Sequence, residues 1–437
     1  MCKFRIISFL VASSCMTSNL HAEQNSFIEL LNILKNKEVI SQETFQQLKD
    51  SALPLSSPSL NNDDVLIMTK GKVEVQSSDS VFSAEIGGRL MVDYASYQQD
   101  QVTLGSGTEL RRARLEMEGT LYEQWGYELS VDFGDTSQEV DLKDAYISYS
   151  SNSDYSILVG QFKEPFSLEE LTSSKNITFM ERALPNEFTP GRNIGIGFST
   201  SEDNWSFATG VFGQAVDDGD NSENDEGWGL SARGAYAPWV SKHNVLHLGL
   251  SITRREPNGS GEISFSSRPE SHVTDVKYLN TGDIQNVEYY SGLGAEVAWV
   301  ADSLSLQSEY INTSISTSTS TNNYNFSGWY IFASYFITGE ARRYKAKSSK
   351  FSGVKPINKS GAWEVALRHS MVDMNDIDVF GGEGKNITLG LNWYANKNAR
   401  VMLNYIIVNN DLNANDDGDV TGNDDPRLFQ ARLQLHF

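Results

Sequence analysis

The residues with the greatest capacity for ion chemistry lie in one long segment, 163–192. Its cations are Lys163, Lys175, Arg182 and Arg192, and its carboxylates are Glu164, Glu169, Glu170, Glu181 and Glu187. A long ordered loop in a compact domain usually has a function. Charges of both signs in such a loop can set an electric field across a narrow aqueous passage. They can equally pair with one another on an ordinary surface loop, and both interpretations stay open.

Catalytic chemistry has little support in the sequence. No G-x-S-x-G turn, no H-E-x-x-H helix and no glycine-rich phosphate loop after a strand occurs. His243 and His247 are four residues apart in a strand-like region, where their side chains would stand roughly 13 Å apart, too far to share a metal. The cysteines, Cys2 and Cys15, both lie near the start of the chain. We therefore predict no catalytic residues and no cofactor.

One acidic stretch partly matches the spacing of a calcium-binding loop. Positions 1, 3, 5, 7 and 12 of that loop would be Asn413, Asn415, Asp417, Asp419 and Asp424. Position 1 is Asn instead of Asp, and position 12 is Asp instead of a bidentate Glu. The match is incomplete, so we predict no metal site beyond this candidate, and a solvated acidic loop is the alternative.

The composition limits the class of protein to which these residues belong. The chain has 437 residues, a formal net charge of -22 and a mean hydropathy of -0.38. Beyond the N-terminal stretch, no apolar run approaches the roughly 20 residues of a membrane-spanning helix, which excludes a helical transporter. Aromatic residues make up 11% of the chain, too many for a disordered protein. The negative charge disfavours nucleic acid binding.

The N-terminal part divides into three segments. Residues 1–22 are typical of an export signal, because Lys3 and Arg5 precede a short apolar stretch and Ala22 offers a small residue for cleavage. The sequence around Cys15 leaves a lipoprotein signal as the alternative. Residues 23–50 carry apolar residues at helical spacing and predict a short helical segment, and residues 51–64 predict a linker. The main domain is then 65–437.

From about residue 80 onward, apolar and polar residues alternate with a period of two. In the last run, Leu433, Leu435 and Phe437 alternate with Arg432 and Gln434. We count about 16 such runs of about ten residues, as in transmembrane strands with lipid outside and water inside. A soluble all-β protein also alternates, but aromatic residues at the ends of the runs favour the membrane. The sequence therefore predicts an all-β fold, a transmembrane antiparallel β-barrel of about 16 strands with a short N-terminal helical extension.

The connections between the runs are alternately short and long. With an even strand number both barrel ends lie on one side of the membrane, so the long connections, 163–192 among them, face outward. The connection 339–360 breaks this rule, because it is long and basic and yet falls among the short turns. The alternation gives no physical reason for this exception.

Three parts of the sequence resemble the family of phosphate-selective porins O and P. They are GQFKEPFSLEELTSSKNITFMERALPNEFTPGRNIGIGF (160–198), RRARLEMEGTLYEQWGYELSVDF (111–133) and ASYFITGEARRYKA with GAWEVALRHS (333–346 and 361–370). The resemblance covers most of the barrel in the right order. It implies a 16-stranded homotrimeric pore in the bacterial outer membrane, in contact with lipid and lipopolysaccharide. Residues 23–50 would then offer a contact surface in the periplasm.

The resemblance also implies a ligand, since family members that select phosphate line the pore with arginines and lysines. The candidate contacts with the anion are Arg112, Arg114, Lys163, Lys175, Arg182 and Arg192. Acidic residues share these faces, so pairing can neutralise the cations. We predict an outer-membrane porin for passive diffusion of small solutes, with anions such as phosphate favoured. The alternatives are a general or differently selective porin, a closed-barrel adhesin or tether, and an outer-membrane hydrolase.

Overall fold

The computed structural model describes Lys35 and residues 65–68, 73–79, 81–134, 140–151, 155–216, 225–318, 323–416, 419–420 and 422–437. The chain divides into two compact units, Met1–Asp64 and Val65–Phe437. In the first unit only Lys35 is described, and it is helical. The export signal 1–22, the rest of the helical segment 23–50 and the linker 51–64 lie outside the described residues, so they stay predictions.

The second unit consists mainly of strands. They are β1 (Val65–Met68), β2 (Val73–Ser77), β3 (Phe82–Gln98), β4 (Gly107–Leu121), β5 (Trp125–Asp132), β6 (Asp141–Ser151), β7 (Tyr155–Lys163), β8 (Arg192–Ser201), β9 (Trp205–Phe212), β10 (Trp228–Val240), β11 (Asn244–Glu256), β12 (Ser266–Ser267), β13 (Leu279–Asn280), β14 (Val287–Ala301), β15 (Leu304–Thr317), β16 (Asn323–Phe336), β17 (Arg343–Lys345), β18 (Lys350–Ser352), β19 (Ala362–Asp376), β20 (Val379–Tyr394), β21 (Ala399–Asn410), β22 (Asn415–Asp416), β23 (Asp419–Val420) and β24 (Arg427–His436). The helices of this unit are α1 (Leu168–Leu171) and two 3-10 turns at Leu184–Phe188 and Ala346–Ser348. Among the described residues, no helix has both the length and the hydropathy to cross a membrane.

Sixteen strands of the described part close into an antiparallel barrel, which confirms the predicted fold. They are β3 to β11, β14 to β16, β19 to β21 and β24. The ring closes where the last strand pairs with the first, from Arg427 opposite Gln98 to His436 opposite Arg89. Closure leaves no strand edge with unpaired N–H and C=O groups. The short β1 and β2 extend the sheet at the start of β3.

The two faces of the barrel wall have opposite chemistry. On β24, Arg432 is 1% exposed, whereas its neighbour Leu433 is 51% exposed. On β11, Ser251 is buried and Leu250 is exposed. A wall that exposes apolar side chains and buries charged ones is stable only when the medium outside it is hydrocarbon. This inverted pattern argues against the soluble all-β alternative.

The barrel has two different ends, which we call the turn end and the loop end. Strand β3 begins at the turn end. The short connections, such as the one between β4 and β5, also lie there. The loop end carries the long connections 164–191 and 257–286. The connection 337–361, between β16 and β19, belongs to the turn end by strand direction, as the parity argument predicts.

The C-terminal residue completes the ring of hydrogen bonds. The backbone N–H of Phe437 donates to the carbonyl of Gly88, and the N–H of Gly88 donates to the carbonyl of Phe437, both at 3.1 Å. A Cβ atom at Gly88 would lie 2.9 Å from Cζ of Phe437 and 2.6 Å from the Arg114 carbonyl oxygen. The terminal aromatic ring therefore depends on a glycine at position 88.

Replacing this glycine should weaken the barrel at its seam. We expect Gly88→Ala to lower the free energy of unfolding by about 1–3 kcal/mol, the usual cost of forcing an extra methyl group into a packed site. Urea titration of the detergent-folded protein, followed by the gel shift of the folded barrel, measures this. Gly234→Ala on β10 is the matched control, because nothing lies within 4 Å of its added Cβ. Equal midpoints for the two variants would contradict the packing role of Gly88.

Candidate functional site

Segment 164–191 turns into the barrel from the loop end. Phe166, Leu168, Phe179 and Met180 are buried in the lumen. Opposite them, the Glu309 carboxylate on β15 accepts the backbone N–H groups of Leu168 at 2.9 Å and Glu169 at 2.7 Å. These are the donors that the first turn of a helix leaves without partners, so Glu309 caps α1 from the far wall.

Arginine and asparagine side chains of strands β19, β20 and β21 bind carbonyl groups of the same segment. Arg368 donates to the Glu181 carbonyl at 3.0 Å, Asn392 to that of Thr178 at 2.8 Å and Arg400 to that of Ile177 at 2.8 Å. Arg432 pairs with both Asp93 and Glu181 at 2.6 Å. These inward arginines hold the loop against the wall, so they do not face the open part of the lumen.

A second loop, 257–286, covers the first from the loop end. Its residue Glu270 is buried with a positive φ of 56°. The Glu270 carboxylate lies 2.6 Å from Nη2 of Arg368 and accepts hydrogen bonds from Ser370 at 2.5 Å and Thr388 at 2.9 Å. These partners offset the cost of the unusual backbone conformation and fix the loop inside the barrel.

The long basic connection at the turn end also enters the lumen, and we call its residues 339–360 the insert. Strands β17 and β18 form a hairpin whose Phe351 is 2% exposed and belongs to one buried apolar cluster with Leu168 of α1 and Val245 of the wall. Arg342 donates to Ser305 at 3.2 Å and to Gln307 at 3.0 Å. The length that the sequence left unexplained is therefore needed to fill the barrel from this end.

One cavity of about 740 Å³ remains between these inserted segments and strands β3 to β8. All six cations predicted to contact an anion line it, namely Arg112, Arg114, Lys163, Lys175, Arg182 and Arg192. Five more cations join them: Arg89, Arg111, Lys143, Lys345 and Lys350. Seven carboxylates also line it, and all of them lie on β3 to β6: Glu85, Glu116, Glu118, Glu128, Asp132, Asp141 and Asp144. Among the described residues, the lining thus has more cations than carboxylates, and the charged residues that the inward loop and the insert add to it are all cations.

Every predicted contact residue has an acidic partner. Arg114 pairs with Asp132 at 2.9 Å, Arg192 with Asp144 at 2.7 Å, Lys175 with Glu116 at 3.3 Å and Arg112 with Glu181 at 4.0 Å. Lys163 and Arg182 share Glu170, at 2.5 and 3.2 Å. These cations therefore line the cavity and pair with carboxylates at the same time. Both interpretations of the sequence, charges that act on a passage and charges that pair with one another, describe them.

The loop carboxylates stay charged because of these partners. Burial would raise the pKa of Glu170, but Arg182 and Lys163 lower it to about 2. Burial opposes ionisation of Glu181 as well, yet Arg111, Arg432 and Arg112 hold its pKa well below the usual range. Ionised carboxylates at these two points fix the cations around them in place.

Two cations of the insert differ from the others. Lys345 and Lys350 lie directly opposite each other on the hairpin. Within the described part of the chain, neither forms an ion pair within 4.0 Å. Burial and the neighbouring Lys345 ammonium lower the pKa of Lys350. Like charges held side by side are unfavourable, so a solute anion between them would relieve the repulsion.

Sequence alternation missed two further lining cations for one reason. The pairing of β3 with β4 skips Arg111, and the pairing of β5 with β6 skips Lys143. Each is the extra residue of a β-bulge, which turns an additional side chain toward the lumen. The available signal was two adjacent charges, Arg111-Arg112 and Lys143-Asp144, where strict alternation allows one.

The candidate calcium loop is described only in part, because Asp417 and the side chain of Asp419 lie outside the described residues. Asn413 Nδ2 donates to Asn375 at 3.2 Å, and Asn415 Nδ2 donates to the Asn280 carbonyl at 3.0 Å. The Asp424 carboxylate accepts the N–H groups of Gln101 and Val102 and the Tyr278 hydroxyl. Among the described residues, no three His, Cys, Asp or Glu side chains are grouped to hold a metal. The calcium site stays a prediction.

The family model for phosphate-selective porins O and P matches residues 84–437, which is the barrel with its inserted segments. The chain belongs to the phosphate-selective porin O and P family. Porin O of Pseudomonas aeruginosa is 29% identical over 413 residues, covering 86% of this chain and 93% of that protein. An uncharacterized protein of Caulobacter vibrioides is 29% identical over 372 residues, covering 81% of this chain and 72% of that protein.

Solved structures of porins have the same fold. The anion-selective porin from Comamonas acidovorans has a TM-score of 0.54 at 14% identity, covering 82% of this chain and all of that chain. The trimer form of OmpT from Vibrio cholerae has a TM-score of 0.53 at 10% identity, with the same two coverages. The outer membrane channel DcaP of Acinetobacter baumannii has a TM-score of 0.51 at 10% identity, covering 83% of this chain and 99% of that chain.

Membership in the family settles the location and general role. The chain is an outer-membrane porin of a bacterium, as the sequence predicted. The turn end of the barrel accordingly faces the periplasm, and the loop end faces the exterior. The relatives in this family are channels and not enzymes.

The shared carboxylate of Glu170 should have a measurable role in holding the inward loop. We expect Glu170→Gln to lower the free energy of unfolding at pH 7 by about 1–3 kcal/mol, since Lys163 and Arg182 lose their charged partner. A carboxylate with a lowered pKa stabilises the fold above its unfolded pKa of about 4.3, and this is lost as the pH falls through about 2. The difference between wild type and variant should therefore persist from pH 7 to 5 and shrink below about pH 4.

Thermal unfolding in detergent at pH 7, 5 and 3 measures this difference. Glu187→Gln is the matched control, because Glu187 is a glutamate of the same loop that forms no ion pair within 4.0 Å among the described residues and accepts a long hydrogen bond from the Ser266 N–H at 3.4 Å. Burial raises the pKa of Glu187, so its replacement should not lower stability at pH 7. A difference that does not change between pH 7 and pH 3 would show that the charge of Glu170 contributes nothing.

Proposed function

We propose that this porin passes small anions in preference to cations, with phosphate as a favoured solute. The observation that carries the proposal is the excess of cations around the cavity among the described residues. Eleven cations line it, against seven lining carboxylates and the two loop carboxylates, Glu170 and Glu181, that pair with lining cations. The chain as a whole has a net charge of -22, so the lining has the opposite sign to the molecule. A cationic neck of low dielectric lowers the barrier for an anion and raises it for a cation.

The division of labour among the cations supports this proposal. The paired residues, such as Arg114 and Arg192, supply fixed N–H donors while their carboxylates keep them in place. The unpaired Lys345 and Lys350 supply net charge near the periplasmic end of the cavity. Phosphate suits such a neck, because its several oxygens can accept charge-assisted hydrogen bonds from several cations at once. Conduction also needs release, which the carboxylates on β3 to β6 provide by repulsion.

We also propose that the protein works as a homotrimer without enzymatic activity. Strands β5, β7, β8 and β9 have only 8 to 10 residues, and most other barrel strands are longer. A transmembrane strand needs about 9–11 residues, so β7 and β8 only just reach this length and β5 and β9, with 8 residues, fall short of it. This low side of the wall suits contact with another subunit. The trimer form of OmpT offers a parallel. The absence of a nucleophile or metalloprotease motif in the sequence supports a passive role.

The charge of the insert should control anion binding in the channel. We expect the double variant Lys345→Gln/Lys350→Gln to raise the phosphate concentration for half-block of chloride current by about tenfold, since a charge contact of this kind contributes about 1–4 kcal/mol. Single channels in planar bilayers give the block and the reversal potential across a salt gradient. The charge reversals Lys163→Glu and Arg114→Glu should shift the reversal potential toward cations.

The control is the double variant Lys355→Gln/Lys359→Gln, which removes the same two charges from exposed positions of the insert outside the cavity lining. It should leave block and selectivity unchanged. A reversal potential that shows cation preference in the wild type would refute the anion proposal and favour a general or differently selective porin. A closed barrel without ion flow would favour the adhesin or hydrolase alternatives.

The subunit number can be tested separately. We expect the unheated protein to migrate as a trimer on a detergent gel and to collapse to the monomer on boiling. Cross-linking in outer-membrane vesicles checks that the trimer exists before extraction. A monomer in both measurements would contradict the proposed assembly without affecting the channel.

A further inference from the structure

We propose that a buried cluster in the barrel wall, His247, Glu296 and Arg233, positions the lysine pair of the insert through Tyr344 and Ser349. We call this cluster the latch. It would set the anion affinity of the channel from outside the cavity of about 740 Å³, because none of its three residues lines that cavity, and His247 and the side chain of Glu296 are 0% exposed. The inference rests on the proposed function only where anion binding is used as the readout.

The latch begins with a carboxylate shared between two strands. Glu296 on β14 accepts hydrogen bonds from Arg233 on β10, from Nε at 2.8 Å and from Nη2 at 2.7 Å. The same carboxylate lies 3.0 Å from Nε2 of His247 on β11, which stands between the two strands. An ion pair that also receives a third hydrogen bond has nearly all its polar atoms satisfied, so its geometry is fixed.

The latch reaches the insert at two points. Nδ1 of His247 lies 2.7 Å from the Tyr344 hydroxyl, and Nη2 of Arg233 donates to the Ser349 carbonyl at 3.1 Å. The hydroxyl of Ser206 on β9 adds a hydrogen bond to the Ser349 hydroxyl at 2.7 Å. Tyr344 directly precedes Lys345 and Ser349 directly precedes Lys350. Both lysines are therefore adjacent in sequence to a residue that the wall holds.

The conformation of Ser349 shows that these contacts do more than fill space. Ser349 has a φ of 46°, in the left-handed region that residues with a side chain rarely adopt. It ends the 3-10 turn Ala346–Ser348 and directs the chain back along β18. A strained residue persists when its surroundings fix it, and here Arg233 and Ser206 do so. The turn that Ser349 makes brings Lys350 opposite Lys345.

A glycine on β11 leaves room for the cluster. A Cβ atom at Gly249 would lie 2.5 Å from Oε2 of Glu296 and 3.2 Å from Nε2 of His247. Any side chain at this position would push the carboxylate away from one of its partners. Position 249 therefore offers a way to disturb the latch without removing any of its polar groups.

Three variants test the latch. Tyr344→Phe removes only the hydroxyl and leaves the ring in contact with Phe351, so the insert keeps its packing. We expect Tyr344→Phe to raise the phosphate concentration for half-block by about fivefold, the effect of one lost hydrogen bond. His247→Ala should raise it at least as much, since it removes the contacts with both Tyr344 and Glu296. His247→Gln should restore most of the affinity, since one amide can accept from Tyr344 and donate to Glu296. The control is His243→Gln, because His243 is half-exposed and lies in the turn between β10 and β11, outside the latch.

A double-mutant cycle separates positioning from general loosening of the barrel. If the latch acts through the lysines, Tyr344→Phe should have little further effect in a Lys345→Gln/Lys350→Gln background. Additive effects would show that Tyr344 acts on block by another route, which would overturn the inference. An unchanged half-block in both Tyr344→Phe and His247→Ala would overturn it as well.

A chemical readout makes the inference independent of anion selectivity. Lys350→Cys, in a chain with Cys2→Ser and Cys15→Ser, carries a single thiol, since these are the only two cysteines of the sequence. We expect Tyr344→Phe to change the rate of its modification by a small thiosulfonate reagent at least threefold. If the wild type prefers cations but this rate changes, the proposed function fails and the latch stands. If the wild type prefers anions and the rate is unchanged, only the latch fails.

Discussion

The need to pair every backbone polar group inside a hydrocarbon layer determines the rest of this structure. Lipid offers no partner to an N–H or C=O group, so the sheet must close, and it does so between β24 and β3. Closure leaves the polar side chains facing inward, where they must find partners among themselves. The loops that enter the barrel supply those partners, so the constricted lumen follows from the closed wall.

The lumen combines fixed and unpaired charge in a way that suits conduction. Most cations of the cavity are held by a carboxylate, such as Arg114 by Asp132. Such pairs give the lining a defined shape but little net charge. The net charge comes from residues without a partner, above all the lysines of the insert. Shape and charge are therefore set by different residues and can vary separately within one barrel.

The sequence predicted the wall much better than the contents of the barrel. Alternation is a local property, and it placed Arg112 and Arg114 on the inner face without any knowledge of the fold. It failed at Arg111 and Lys143, because a bulge adds one residue and the period of two cannot show which one. The entry of the insert depends on apolar clusters such as that of Phe351 and Leu168, which are far apart in sequence. Pairings of that kind leave no periodic trace, so Lys345 and Lys350 could not be found from spacing.

The apolar cluster that contains Leu168 and Phe351 also joins segments from two compartments. The first residue belongs to a loop that enters from outside the cell, and the second belongs to a hairpin that enters from the periplasm. They lie in one buried apolar cluster inside the barrel, together with residues of the wall. The plug inside the barrel is therefore assembled from both faces of the membrane, and neither half buries its apolar residues without the other.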